Sequence, residues 1–75
     1  MLLIRGSVSP EVKTLQENLN KIGVECDVDG IYGPGTEKAV KTFQTASGLT
    51  ADGKYGDATH AKLEETIAGM GSSQA

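Results

Sequence analysis

Asp29-Gly30-Ile31-Tyr32-Gly33-Pro34-Gly35-Thr36 returns 23 residues later as Asp52-Gly53-Lys54-Tyr55-Gly56-Asp57-Ala58-Thr59, with five of the eight positions identical. Asp-Gly sets a hydrogen-bonding side chain beside a residue that tolerates φ > 0, which marks a tight turn. A tyrosine then returns towards the core, and the next glycine lets the chain enter a helix closely. Thr36 and Thr59 fall in the first helical turn, where a hydroxyl can bond back to the preceding loop. A second echo pairs Val12-Lys13-Thr14-Leu15-Gln16 with Val40-Lys41-Thr42-Phe43-Gln44, 28 residues apart and differing only at Leu15 and Phe43. Repeats of this kind set the architecture of a chain. The order is helix, DGxYG turn, helix, DGxYG turn, helix.

The helices follow from caps and spacing. The first is expected from about Pro10 to Ile22, with Ser9 as N-cap and Pro10 at the first position, its φ already set. Val12, Leu15, Leu19 and Ile22 share one face, while Lys13, Glu17 and Lys21 face solvent. Gly23 ends the helix in the left-handed conformation. The second is expected to start at Pro34, turn Ala39, Val40 and Phe43 inward, and stop before Gly48. The third starts near Asp57, whose carboxylate suits the positive helix end. It buries Ala58, Leu63 and Ile67 and ends by Gly69. The fold class is all-α, a compact three-helix bundle. Residues 1–69 form the domain, and 70–75, small and polar, form a tail or linker.

Seventy-five residues suffice for one domain, and with 37% apolar residues and no Trp its core must be economical. The net charge of −3 and the single, scattered basic residues argue against nucleic acid, whose binders carry a basic stripe. No apolar run approaches the 18 or so residues that span a bilayer, so no membrane partner is expected. Met1-Leu2-Leu3-Ile4-Arg5 lacks the charged start and the length of a secretory signal. The sequence then reads as a mature or excised fragment, or as a protein leaving the cytoplasm by another route, such as phage lysis. Cys26 stands alone, which excludes an internal disulfide and a cysteine-based zinc site. It reads as a small, half-buried hydrophobe.

Taken together, Leu3, Gly6-Ser7, Val12, Leu15-Gln16, Leu19, Gly23, Asp29-Gly30, Tyr32-Gly33 and Thr36 closely resemble the first half of the peptidoglycan-binding domain found beside many cell-wall hydrolases. Ala39-Val40, Phe43-Gln44, Gly48-Leu49, Asp52-Gly53, Tyr55-Gly56, Thr59 and Leu63 continue the match, which runs from about Leu3 to Ile67. The resemblance implies a three-helix wall-binding module without cofactor or turnover, and the three amphipathic segments are expected to fold as a monomer. It also implies bacterial peptidoglycan as ligand and a covalently linked or associated hydrolase as partner. The expected location is the cell wall, the periplasm or the extracellular space, with a phage endolysin as one source. The chain departs from the family at Ser9, where Gly is common, and at His60, where many members carry Trp. The second change puts sugar stacking at that position in doubt.

Peptidoglycan offers amide-bearing sugars and short peptides with free carboxylates and amines, so a binder needs hydroxyls, amides and flat apolar surface. Tyr32 and Tyr55 join an apolar ring to a polar tip and serve either the core edge or the ligand. Gln16 and Gln44 follow inward-facing residues and read as buried partners of a turn, with Gln44 also a candidate ligand contact. Asp29 and Asp52 form the turns, and their carboxylates can also accept from a stem-peptide amine. These five residues, Asp29, Tyr32, Gln44, Asp52 and Tyr55, are the candidate binding set. A glycosidase reading of Asp29 with Asp52 fails because the turns already account for both and the chain leaves little room for a cleft. Metal ligation by His60 and Glu64 lacks further ligands. The alternative in another class is a protein-docking or regulatory module on the same scaffold.

Overall fold

The computed structural model describes residues 2–71, with side chains described for 2–69. Three helices follow the repeat: α1 (Pro10–Lys21), α2 (Pro34–Ala46) and α3 (Asp57–Gly71). Ser9 caps α1 from an extended conformation, its Oγ accepting from the Val12 N–H at 3.4 Å. Both α1 and α2 carry Pro in the first helical turn.

The first two helices end in the same way. Ile22 and Ser47 are their C-caps. Gly23 (φ 91°) donates to Asn20 O and Val24 to Leu19 O, while Gly48 (φ 76°) donates to Thr45 O and Leu49 to Gln44 O. This double bond around a left-handed glycine is a Schellman motif, and it satisfies carbonyls that the helix end would otherwise orphan.

The core comprises Leu3, Val12, Leu15, Leu19, Tyr32, Ala39, Val40, Phe43, Tyr55 and Leu63, all buried. Each large aliphatic or aromatic member contributes about 1.5–3 kcal/mol by leaving water. Ile22, Val24, Cys26 and Ile67 pack against this cluster from its margin, and α1 touches both α2 and α3.

Three details correct the sequence expectations. Ala58 is exposed, and Thr59 takes the inward place. The reason is polar: the Thr59 hydroxyl accepts from the buried Gln44 amide at 3.1 Å, which a methyl group cannot do. Ile67 is only partly buried. The third helix continues past Gly69 to Gly71, taking in the start of the segment read as a tail. Residues 72–75 of that segment lie outside the described residues.

One feature has no counterpart in the helical pattern. The segment before α1 is a strap across both turns. Leu3 and Tyr55 exchange backbone bonds at 2.9 and 2.8 Å, and Val8 bridges Ile31 in the same antiparallel sense. Gly6 N donates to Tyr32 O, Tyr32 N to Ser7 O, and Ser9 N to Gly30 O. The strap thereby satisfies backbone groups that buried turns would leave unpaired.

Candidate functional site

Each DGxYG turn is organised by one buried glutamine. Gln16 is fully buried; its Nε2 lies within 3.0 Å of Asp29 Oδ1, Ile31 O and Thr36 Oγ1, and its Oε1 accepts from the Asp29 and Gly30 N–H groups. Gln44 repeats the pattern: Nε2 donates towards Asp52 Oδ1, Lys54 O and Thr59 Oγ1, while Oε1 accepts from Gly53 N. The turn lies 13 residues after Gln16 but only 8 after Gln44. The shorter connection costs the network one bond: Asp52 N donates to Thr50 O at 3.0 Å, where Asp29 N donates to its glutamine.

The aspartates stay at the surface. Asp29 Oδ1 accepts from Ile31 N at 3.0 Å, and Asp52 Oδ1 from Lys54 N at 2.9 Å. These backbone bonds, and then the glutamine amides, hold both carboxyls below the ordinary carboxylate range. Gly30 and Gly53 have φ of 77° and 74°, conformations that penalise a Cβ.

Outside each turn lies a shallow depression at matched positions of the repeat. One of about 310 Å³ is lined by Asp29, Ile31, Gly33 and Thr36. The other, about 360 Å³, is lined by Asp52, Lys54, Gly56 and Thr59.

The tyrosines differ from each other. Tyr32 is fully buried, and its hydroxyl donates to Gly53 O at 2.6 Å, tying the first turn to the second. Burial, with the charges of Glu37 and Asp52 behind it, pushes its phenol up. Of the two roles the sequence left open, core edge or ligand, the Tyr32 hydroxyl has the first here: it is enclosed and already bonded. Gln44, only 1% exposed, is likewise enclosed.

Tyr55 is 3% exposed, but it lines a groove of about 180 Å³ between α1 and α3. Its hydroxyl meets His60 Nδ1 at 2.7 Å, the two rings stand edge to face, and His60 Nε2 lies 3.3 Å from Glu64 Oε1. All three groups are satisfied when Tyr55 donates to Nδ1 and Nε2–H points to Glu64. Burial first, and then the Glu64 charge, pushes the Tyr55 phenol up to about 12, so it keeps its proton. His60 thus carries a hydrogen-bond role that the sequence did not reveal. The only available signal was its spacing, five residues after Tyr55 and four before Glu64.

Of the five candidate residues, the structure places Asp29 and Asp52 at the surface, Tyr55 on a groove wall, and Tyr32 and Gln44 inside. Four of them belong to two separate turns and Gln44 to α2, rather than all to one cleft. Among the described residues, no group of three or more His, Cys, Asp or Glu side chains is placed to hold a metal ion, and no helix is long and apolar enough to cross a membrane. No buried side-chain nitrogen or oxygen among them lacks a hydrogen-bond partner.

Comparison with known proteins fits this geometry. Residues 8–63 match the family described as "Putative peptidoglycan binding domain". The chain is 60% identical over 40 residues to the N-acetylmuramoyl-L-alanine amidase CwlL of Bacillus licheniformis, covering 53% of this chain and 11% of that enzyme. The crystal structure of the SleB N-terminal domain superposes with a TM-score of 0.84 at 34% identity, covering 88% of this chain and 92% of that one. A Burkholderia AP3 phage endolysin superposes at 0.82 with 40% identity, over 84% of this chain and 24% of that one. The chain spans between 11% and 32% of the length of the curated relatives it matches. It shares the three-helix fold of these structures, and where whole hydrolases are matched it corresponds to a small part of each. The chain belongs to the peptidoglycan-binding domain family.

Proposed function

We propose that this domain binds the peptidoglycan of bacterial cell walls without chemical turnover, and so holds a linked or associated hydrolase against its substrate. The observation that carries this reading is the family match over residues 8–63, in a domain where every buried side-chain nitrogen and oxygen among the described residues already has a hydrogen-bond partner. A catalytic group needs a free or perturbed acid, base or nucleophile in a cleft. Here the glutamines, threonines and Tyr32 are committed to the scaffold, and the two turn aspartates are committed in part. What remains is a surface of exposed carboxylates, turn backbone and shallow grooves, which suits reversible contact with sugars and peptides. The working form is a monomer located where the wall is, in the periplasm, the wall itself or outside the cell. Asp29 and Asp52 contribute their outer oxygens and Tyr55 its groove, with Tyr32 and Gln44 as internal supports.

Purified, insoluble sacculi test this. The domain is expected to leave solution with the sacculi while releasing no reducing ends and no free amines. A domain that stays in the supernatant acts instead as a protein-docking module, and sustained release from a clean preparation makes it an enzyme.

A further inference from the structure

The groove between α1 and α3 has a chemistry that the turns do not share. Glu11, Thr14 and Asn18 line it from α1, and His60 and Glu64 from α3, with Tyr55 and Leu15 completing it. The Thr14 hydroxyl is spent on Pro10 O at 3.2 Å. Two carboxylates remain, one from each helix, and no lysine or arginine lines the groove. Glu64 meets His60, while Glu11 has no ion pair among the described residues. In the tautomer that satisfies all three groups, the Tyr55 O–H donates to His60 Nδ1 and the Tyr55 oxygen remains an acceptor.

The competing concavities lack this character. One of about 650 Å³ runs between residues 23–27 and α2 and mixes Lys38 with Glu25 and Asp27. Its best-placed amide, Asn20, is already bonded on both sides to the Cys26 backbone at 2.9 Å. The two turn depressions are lined in part by groups the glutamine networks already hold, and one of them sets Lys54 beside Asp52.

We infer that the groove between α1 and α3 receives a primary ammonium group carried by the wall polymer. Glu11 and Glu64 supply the opposing charge, and the Tyr55–His60 pair supplies a fixed polar wall. About 180 Å³ of open groove accommodates the end of an amino-acid side chain. This assignment rests on the wall-binding reading above and adds to it the part of the polymer that is recognised. Because both glutamates are exposed, the attraction is moderate and salt-sensitive, screened over about 10 Å at 0.1 M ionic strength.

The test is a four-way comparison. Wild-type domain and the Glu11→Gln/Glu64→Gln double variant are each sedimented with untreated sacculi and with sacculi whose amines have been acetylated. Melting temperatures confirm that both chains are folded. Acetylation is expected to weaken wild-type binding about three- to tenfold, and the double variant to show the same loss on untreated sacculi. It should lose nothing further on acetylated ones, because the two changes remove one interaction. Raising the salt should close the gap. Peptide-free glycan strands separate a stem-peptide amine, which they lack, from a sugar amine, which they keep. Wild type that binds well but is indifferent to acetylation, or a folded double variant that binds like wild type, overturns the assignment and leaves wall binding standing. Wild type that fails to sediment with untreated sacculi overturns both.

Discussion

Gln16 and Gln44 each spend a whole side-chain amide on a turn, and a buried amide is worth most where nothing else can replace it. Gln44→Leu removes the partner of Gly53 N and of Lys54 O at once. Each group left buried and unpaired costs about 1–3 kcal/mol, so the variant is expected to lose about 2–4 kcal/mol. Thermal denaturation should record a fall of roughly 10 °C or more. A change of only a degree or two would mean that the turn holds itself.

Tyr32→Phe follows the same logic. Gly53 O loses its 2.6 Å donor, and stability is expected to drop by about 1–2 kcal/mol, read as a lower melting temperature. The sequence left this hydroxyl to either the core edge or the ligand, and a ligand contact would instead weaken wall binding at an unchanged melting temperature. A ring with a hydroxyl looks the same in sequence whether its tip faces solvent or a carbonyl 21 residues away.

At the turn glycines, Gly30→Ala and Gly53→Ala both force a Cβ into φ above +70°. At Gly53 the new atom also meets Glu37 Cγ at 2.8 Å, whereas at Gly30 the nearest atom is 3.8 Å away. Chemical denaturation should place the cost at about 1 kcal/mol for Gly30→Ala and higher for Gly53→Ala.

The turn aspartates give the acid behaviour its sign. A carboxyl that is more acidic in the folded chain adds stability that is complete above its unfolded value. That stability is lost as pH falls through the folded one. The melting temperature of the wild type should therefore fall more steeply between about pH 5 and about pH 2 than that of Asp29→Asn/Asp52→Asn. Parallel curves would contradict the bonds drawn to Ile31 and Lys54.

At the scale of elements, the helices were legible because their signals are local. Ser9-Pro10, Gly33-Pro34 and the glycines at 23 and 48 are caps that need no knowledge of the rest of the chain. The strap was not legible. Leu2-Leu3-Ile4 has neither helical spacing nor alternation, and its partners, Tyr55 and Ile31, are remote in sequence. Its order comes from turn backbone that only the folded bundle presents. Ala58 was misplaced for a related reason. Apolar character suggested burial, but in the first turn of α3 the inward position answers to Gln44, which requires the hydroxyl of Thr59.

The middle helix supplies the sharper energetic test. Phe43 is 3% exposed within a thin core. Phe43→Ala is expected to cost about 3–5 kcal/mol, most of the margin of a domain this small. Circular dichroism should show loss of a cooperative melt, and a variant melting within a few degrees of wild type would contradict the packing of α2.

For the whole molecule, the repeat explains why so small a chain holds one shape. Two glutamine-centred turns are joined by Tyr32 to Gly53 and covered by one strap, so disturbing either unit reaches the other. The fold was readable because the repeat itself is written in the sequence. The binding surface was less so, because the residues that mark the family most clearly, such as Tyr32 and Gln44, are those the scaffold consumes. A wall-binding role leaves recognition to exposed groups around them. The measurement that bears on this most directly is a sedimentation isotherm of the domain on purified sacculi, with Phe43→Ala as the unfolded control. Saturable retention of the folded domain, lost in the control and accompanied by no release of sugar or peptide, is the predicted result. A folded domain that stays in the supernatant at every sacculus concentration would contradict it.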